Sequence, residues 1–175
     1  MKLGDLVRTS ALRYPDREAV VCAGTRISFA KLDHRSNRLA NGLLGLGQQP
    51  GDRVALYLPN SIQLVVAMAA LAKSGGVMVP LSTRLAPPEV AYMLSHSEPM
   101  AVIFSPELRD VARQAAAGLA GVRLIVTAHA GPGETALEDL MEAGADTAPP
   151  ALPAGFDDLA ICYTSGTTGR PKGAV

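Results

Sequence analysis

Four short apolar runs, separated by helical patterns, constrain the fold of this chain more than any other feature. Arg53-Val54-Ala55-Leu56-Tyr57-Leu58 has the length and composition of a strand buried on both faces. The segment after Pro59-Asn60-Ser61, from Ile62 to Ala72, is apolar nearly all round and predicts a helix packed on most sides. Gly75-Gly76 ends it, and Val77-Met78-Val79-Pro80-Leu81 follows as a strand, completing a βαβ unit. Pro87-Pro88-Glu89 opens a short helix to about Ser95, with an acid near the positive end of its dipole. Met100 to Phe104 is the next strand, Pro106 to Ala120 the next helix and Val122 to Thr127 another strand. Alternation at this spacing predicts an α/β fold, a predominantly parallel sheet flanked by helices. With 175 residues, 48% hydrophobic and 18% charged, the chain can form one such core.

The flanking segments are read the same way. Leu3, Leu6, Val7, Ala11 and Leu12 share a helical face, ended by Pro15. Ala19–Cys22 and Arg26–Phe29 around Ala23-Gly24-Thr25 predict a hairpin. Ser28 caps a helix carrying Leu32, Leu39, Leu43 and Leu46, closed by Gly47, whose polar face of Lys31, Asp33, Arg35 and Arg38 is expected in solvent. Met68 is expected to fill core. Thr135 and Glu138 have capping-box spacing for one more short helix. Ala143 to Phe156, rich in Pro, Ala and Gly, reads as a surface connection, and Leu159 to Thr164 as a strand. No internal repeat stands out.

That last strand delivers Tyr163-Thr164-Ser165-Gly166-Thr167-Thr168-Gly169-Arg170-Pro171-Lys172-Gly173. The string holds glycines, hydroxyls and two cations, and no acid. Gly166, Gly169 and Gly173 lack a Cβ, so their backbone can take positive φ and approach a ligand closely. Successive N–H groups in such turns converge on anions. Lys172 adds a compact charge, aimed by the fixed φ of Pro171. A Walker loop is excluded, because Arg170 and Pro171 separate Gly169 from Lys172 and Gly173 stands where its hydroxyl belongs. A nucleophile elbow is excluded too, since Thr164 is not glycine and Ser165 lies directly against Gly166. By residue chemistry alone, two readings stand: a polyphosphate-binding loop, or a Gly- and Thr-rich surface loop with Lys172 merely solvated.

Charge and composition remove other classes. Lys plus Arg and Asp plus Glu number 16 each, so no net field favours nucleic acid or an anionic membrane. Met1-Lys2-Leu3-Gly4-Asp5 has no apolar leader, and the longest apolar run falls short of the ~20 residues that span a bilayer, so a cytoplasmic protein is expected. Cys22 and Cys162 are expected as small buried hydrophobes without a disulfide. His34, His96 and His129 lack ligand-spaced neighbours, and no metal site is expected among them.

The eleven-residue string resembles the signature loop of the AMP-forming adenylating enzymes, [YF]-T-S-G-[ST]-T-G-x-P-K-G, at every fixed position. That superfamily includes acyl-CoA synthetases, luciferases and peptide-synthetase adenylation domains. Upstream, Asn37-Arg38-Leu39-Ala40, Leu46-Gly47, Pro50-Gly51-Asp52-Arg53-Val54, Leu58-Pro59-Asn60 and Val79-Pro80-Leu81 are similar to the family's N-terminal blocks in the same order. Pro80-Leu81-Ser82-Thr83 departs from the Pro-Leu-Asp-Pro usual in peptide-synthetase domains, which turns the expectation toward an acyl- or aryl-CoA ligase. The resemblance implies that residues 1–175 are the N-terminal portion of a large adenylate-forming domain, incomplete at its C-terminal side. It implies ATP as substrate, Mg2+ held by residues outside this chain, and coenzyme A as co-substrate. The implied phosphate contacts are Thr164, Ser165, Gly166, Thr167, Thr168, Gly169 and Lys172, with Arg170 at the variable position and no catalytic residue in this stretch. The 175-residue chain alone is then expected not to turn over. The alternatives are a naturally short nucleotide- or partner-binding module and a peptide-synthetase-type fragment.

Overall fold

The computed structural model describes residues 3–150, 158–164 and 171–175. Helix α1 (Leu3–Arg13) leads into a hairpin of β1 (Glu18–Cys22) and β2 (Thr25–Ser28). Its two-residue turn needs positive φ at both positions, and Ala23 and Gly24 supply +48° and +80°. Helix α2 (Phe29–Gly45) follows, its first turn capped by Ser28, whose hydroxyl accepts from Lys31 N at 3.3 Å. Then come β3 (Arg53–Tyr57), α3 (Ile62–Ser74), β4 (Val77–Pro80), α4 (Pro87–Ser97) and β5 (Ala101–Phe104). A 3₁₀ turn (Pro106–Leu108) precedes α5 (Arg109–Ala116), β6 (Arg123–Val126), β7 (Glu134–Ala136) and α6 (Leu137–Ala143). Strands β8 (Cys162–Thr164) and β9 (Lys172–Ala174) come last.

Five strands form one parallel sheet in the order β4-β3-β5-β6-β7. Alternate residues of each strand face opposite ways, so the sheet divides the interior into two cores. Val54, Leu56, Met78, Ala101, Ile103 and Ile125 pack beneath α2, α3 and α6. Ala55, Tyr57, Val79, Val102, Phe104 and Val126 pack beneath α4 and α5. This is the two-sided burial that the continuous apolar runs predict. Pro80 cannot donate to a ladder, which suits β4 to the sheet edge.

Several expectations are corrected. Helix α1 forms, but Leu3, Leu6 and Leu12 are exposed; contact runs through Gly4 and Val7, because a Cβ at Gly4 would lie 2.7 Å from Ala72 O of α3. The polar face of α2 is only partly solvated: Lys31 is exposed, but Asp33, Arg35 and Arg38 are half-buried. Asp33 accepts from Lys73 Nζ at 2.7 Å, and the same buried ammonium donates to Ser36 Oγ and Asn37 Oδ1, each at 2.7 Å. Burial pulls the Lys73 pKa down, with Asp33 acting the other way. Arg35 donates to Glu138 at 2.6 Å and Arg38 to the Met141 carbonyl at 3.4 Å, both on α6. Met68 is 41% exposed, on a strip of α3 left uncovered by the described residues. Thr135 caps nothing: it lies within β7, and Glu138 is engaged by Arg35. The helix expected over 106–120 divides into the 3₁₀ turn and α5. Residues 145–147 of the expected surface connection are tied down by Asn37 and Asn41, which donate to the carbonyls of Asp146, Ala145 and Thr147 at 2.8–2.9 Å.

Candidate functional site

The glycine string begins on a strand fastened to the sheet edge. Met78 N donates to Leu159 O at 2.9 Å and Ile161 N to Met78 O at 2.8 Å, so Ala160 runs parallel beside β4. The expected strand over 159–164 thus has two parts: this bridge, and β8, which pairs antiparallel with β9. The register sets Cys162 against Ala174, Tyr163 against Gly173 and Thr164 against Lys172.

Alternation along β8 then decides which side chains face where. Tyr163 turns inward onto α4, while Cys162 and Thr164 are exposed, as is Lys172 across from Thr164. Cys162 is therefore not the buried hydrophobe expected of it; both cysteines are free thiols. Gly173 also differs from expectation. Its φ is not positive; its missing Cβ serves packing, since one placed there would meet Ile161 Cγ2 at 2.7 Å and Tyr163 Cζ at 3.5 Å.

Thr164 and Lys172 are cross-strand partners, so their backbones are about 5 Å apart. Among the described residues Thr164 Oγ1 makes a long contact, 3.5 Å, to Lys172 O. Among the described residues Lys172 has no acidic partner within ion-pair distance. A hydroxyl and an ammonium therefore stand side by side on one outward face, both able to donate to an anion. Ser165, Gly166, Thr167, Thr168, Gly169 and Arg170 lie outside the described residues.

The inward side is fixed by α4. Tyr163 Oη lies 2.8 Å from His96 Nδ1 and donates to Met93 O at 3.3 Å. Burial, foremost, raises the Tyr163 pKa and keeps the phenol protonated. On the other strand's approach, Tyr92 Oη donates to the Pro171 carbonyl at 3.4 Å. Sequence reasoning missed Tyr92 and His96. Their i, i+4 spacing puts them on one face of a helix, but nothing local says that the hairpin sits there. Among the described residues no group of three or more His, Cys, Asp or Glu side chains is gathered.

Residues 7–175 match the family described as AMP-binding enzyme. A feruloyl-CoA synthase of Amycolatopsis sp is 39% identical over 162 residues, 92% of this chain and 30% of its own length. A long-chain-fatty-acid–CoA ligase of Mycobacterium tuberculosis is 42% identical over 178 residues, 99% of this chain and 34% of its own. The crystal structure of a benzoate CoA ligase from Burkholderia xenovorans LB400 superposes with a TM-score of 0.86 at 28% identity, covering 99% of this chain and 34% of that one. The chain thus spans about a third of the length of these relatives. A match running from residue 7 to residue 175, over an α/β fold shared with a CoA ligase, leaves one conclusion: the chain belongs to the AMP-binding enzyme family.

Proposed function

We propose that residues 1–175 form the N-terminal portion of the adenylate-forming domain of an ATP-dependent acid–CoA ligase. In that reaction a carboxylate attacks the α-phosphate of ATP, giving an acyl adenylate and pyrophosphate, and the coenzyme A thiol then displaces AMP. The part of this chain is to hold the departing β- and γ-phosphates. Lys172 supplies charge and Thr164 a hydroxyl donor, joined by Ser165, Gly166, Thr167, Thr168 and Gly169 as further hydroxyl or backbone donors. Fixed donors aimed at developing charge are often the largest catalytic contribution a protein can make. Mg2+ accompanies the ATP in this reading, and its ligands are taken to lie outside this chain. No helix among the described residues is long and apolar enough to cross a membrane, and a cytoplasmic location is part of the same proposal.

The observation that carries the reading is the pairing of Thr164 with Lys172 on the outward face of a hairpin whose inward face is fastened to the core. Its test separates the two half-reactions in the complete protein. Lys172→Ala is expected to slow ATP–pyrophosphate exchange about a hundredfold. Thioester formation from supplied acyl adenylate should barely change, because pyrophosphate has already left. Equal slowing of both steps would refute the role given to Lys172.

A further inference from the structure

Strands β8 and β9 have three residues each, and a two-stranded hairpin that small has little stability of its own in water. Its position must come from what it rests on. The two hydrogen bonds at Met78 hold the entry to β8, and β9 is joined to that entry through its ladder with β8. Side-chain support comes from α4, whose Val90, Met93 and Leu94 are buried in the core, making the helix a firm platform.

Tyr92 and His96, one turn apart on α4, stack at 5.7 Å between ring centroids with 23° between planes. Tyr163 meets His96 edge-on at 5.8 Å and 71°. With hydrogen on Nδ1, the imidazole donates to Tyr163 Oη, whose own hydrogen goes to Met93 O, so both bonds form at once. Tyr92 reaches past the same ring to the Pro171 carbonyl, the residue before β9. One helix thereby holds both strands, and each tie lies next to a member of the outward pair: Tyr163 beside Thr164, Pro171 beside Lys172. Gly173, lying under the Tyr163 ring, lets the two strands close on this support.

We propose that His96 is a positioning residue for the phosphate-binding pair: through Tyr163, with Tyr92 on Pro171, it clamps the hairpin to α4 and so sets the affinity for ATP. The proposal rests on the phosphate-binding reading above, and adds to it two residues outside the glycine string.

The test uses the complete protein and His96→Phe, which keeps the ring and removes the nitrogen. Amide exchange in peptides covering residues 158–175 is expected to quicken several-fold while exchange in Ala101–Phe104 stays as in the wild type, showing an intact sheet. KM for ATP in the adenylation step should rise about fivefold, the equivalent of one hydrogen bond, with kcat for thioester formation from supplied adenylate unchanged. His96→Asn, which keeps a polar nitrogen near Nδ1, should recover most of the KM. Because Tyr163 Oη also donates to Met93 O, combining His96→Phe with Tyr163→Phe should cost no more than Tyr163→Phe alone. Unchanged exchange in 158–175 overturns the clamp. Faster exchange with unchanged KM for ATP, in a protein whose KM does respond to Lys172→Ala, overturns the positioning role alone. If Lys172→Ala leaves ATP use untouched, the phosphate reading falls and the proposal with it.

Discussion

Glu134 shows how much one side chain can organise. Its side chain is fully buried, accepts from Arg113 Nε at 2.7 Å and from Gly131 N at 2.8 Å, and has Arg109 Nε 3.2 Å away. Burial, the largest single influence, acts to raise its pKa, but the Gly131 N–H and the two guanidiniums together outweigh it and hold the carboxyl below its usual range. A folded pKa below the unfolded one means stability that is fully present above the unfolded value and lost as pH falls through the folded one. Urea unfolding of Glu134→Gln should therefore show a lower midpoint than the wild type at pH 7, and the gap should close as pH drops below about 4. A gap independent of pH would count against the charge as its cause. At this scale the sequence discloses residues whose chemistry is local. Thr164 and Lys172 stand in a string that announces itself, whereas the partners of Lys73 lie about ten helical turns away in sequence, on α2, and a lysine in a last helical turn ordinarily reads as solvated. His96 was invisible for the same reason, since its partner comes from β8.

Elements were legible where a period ran long enough to be seen. β3, α3, β4 and β5 fall where the apolar runs predict them, and Ser28, Ser61 and Gly75 cap as their residue types suggest, Gly75 with a φ of +77°. Strand β7 was missed because three residues carry no period, and its Thr135 mimics a cap. The close approach of α2 to α6 was equally hidden. A Cβ on Gly42 would collide with the Leu140 carbonyl, and one on Gly144 with the Arg38 carbonyl. Gly45, in the same helix as Gly42, has nothing within 4 Å. Gly42→Ala is thus expected to lower stability by about 1–3 kcal/mol through overpacking. Gly45→Ala should raise it by about 0.5–1 kcal/mol, because alanine is the better helix former. Calorimetric melts of the two variants check the contrast, and equal effects would mean that the α2–α6 contact is looser than described.

On the scale of the whole molecule, the α/β architecture was predictable because β3, β4 and β5 are largely buried runs bounded by helices. The strand order was not, since no run says which neighbour it takes. The sheet separates two cores, and substitutions in different cores should act independently. Ile125→Val, on the α2–α3–α6 side, should cost about 0.5–1.5 kcal/mol and Leu94→Ala, on the α4–α5 side, about 2–5 kcal/mol. The double variant should match their sum within about 0.5 kcal/mol in urea unfolding; a larger discrepancy would show that the cores communicate through the sheet. The seating of the hairpin also has a consequence in time. The hydrogen-bonding groups described above that hold it, from the Met78 backbone to the ring of His96, all come from residues 78–96, and chains are synthesised from the N-terminal side. A chain made from its N-terminal side thus carries this support in residues that precede β8 and β9 by more than sixty positions.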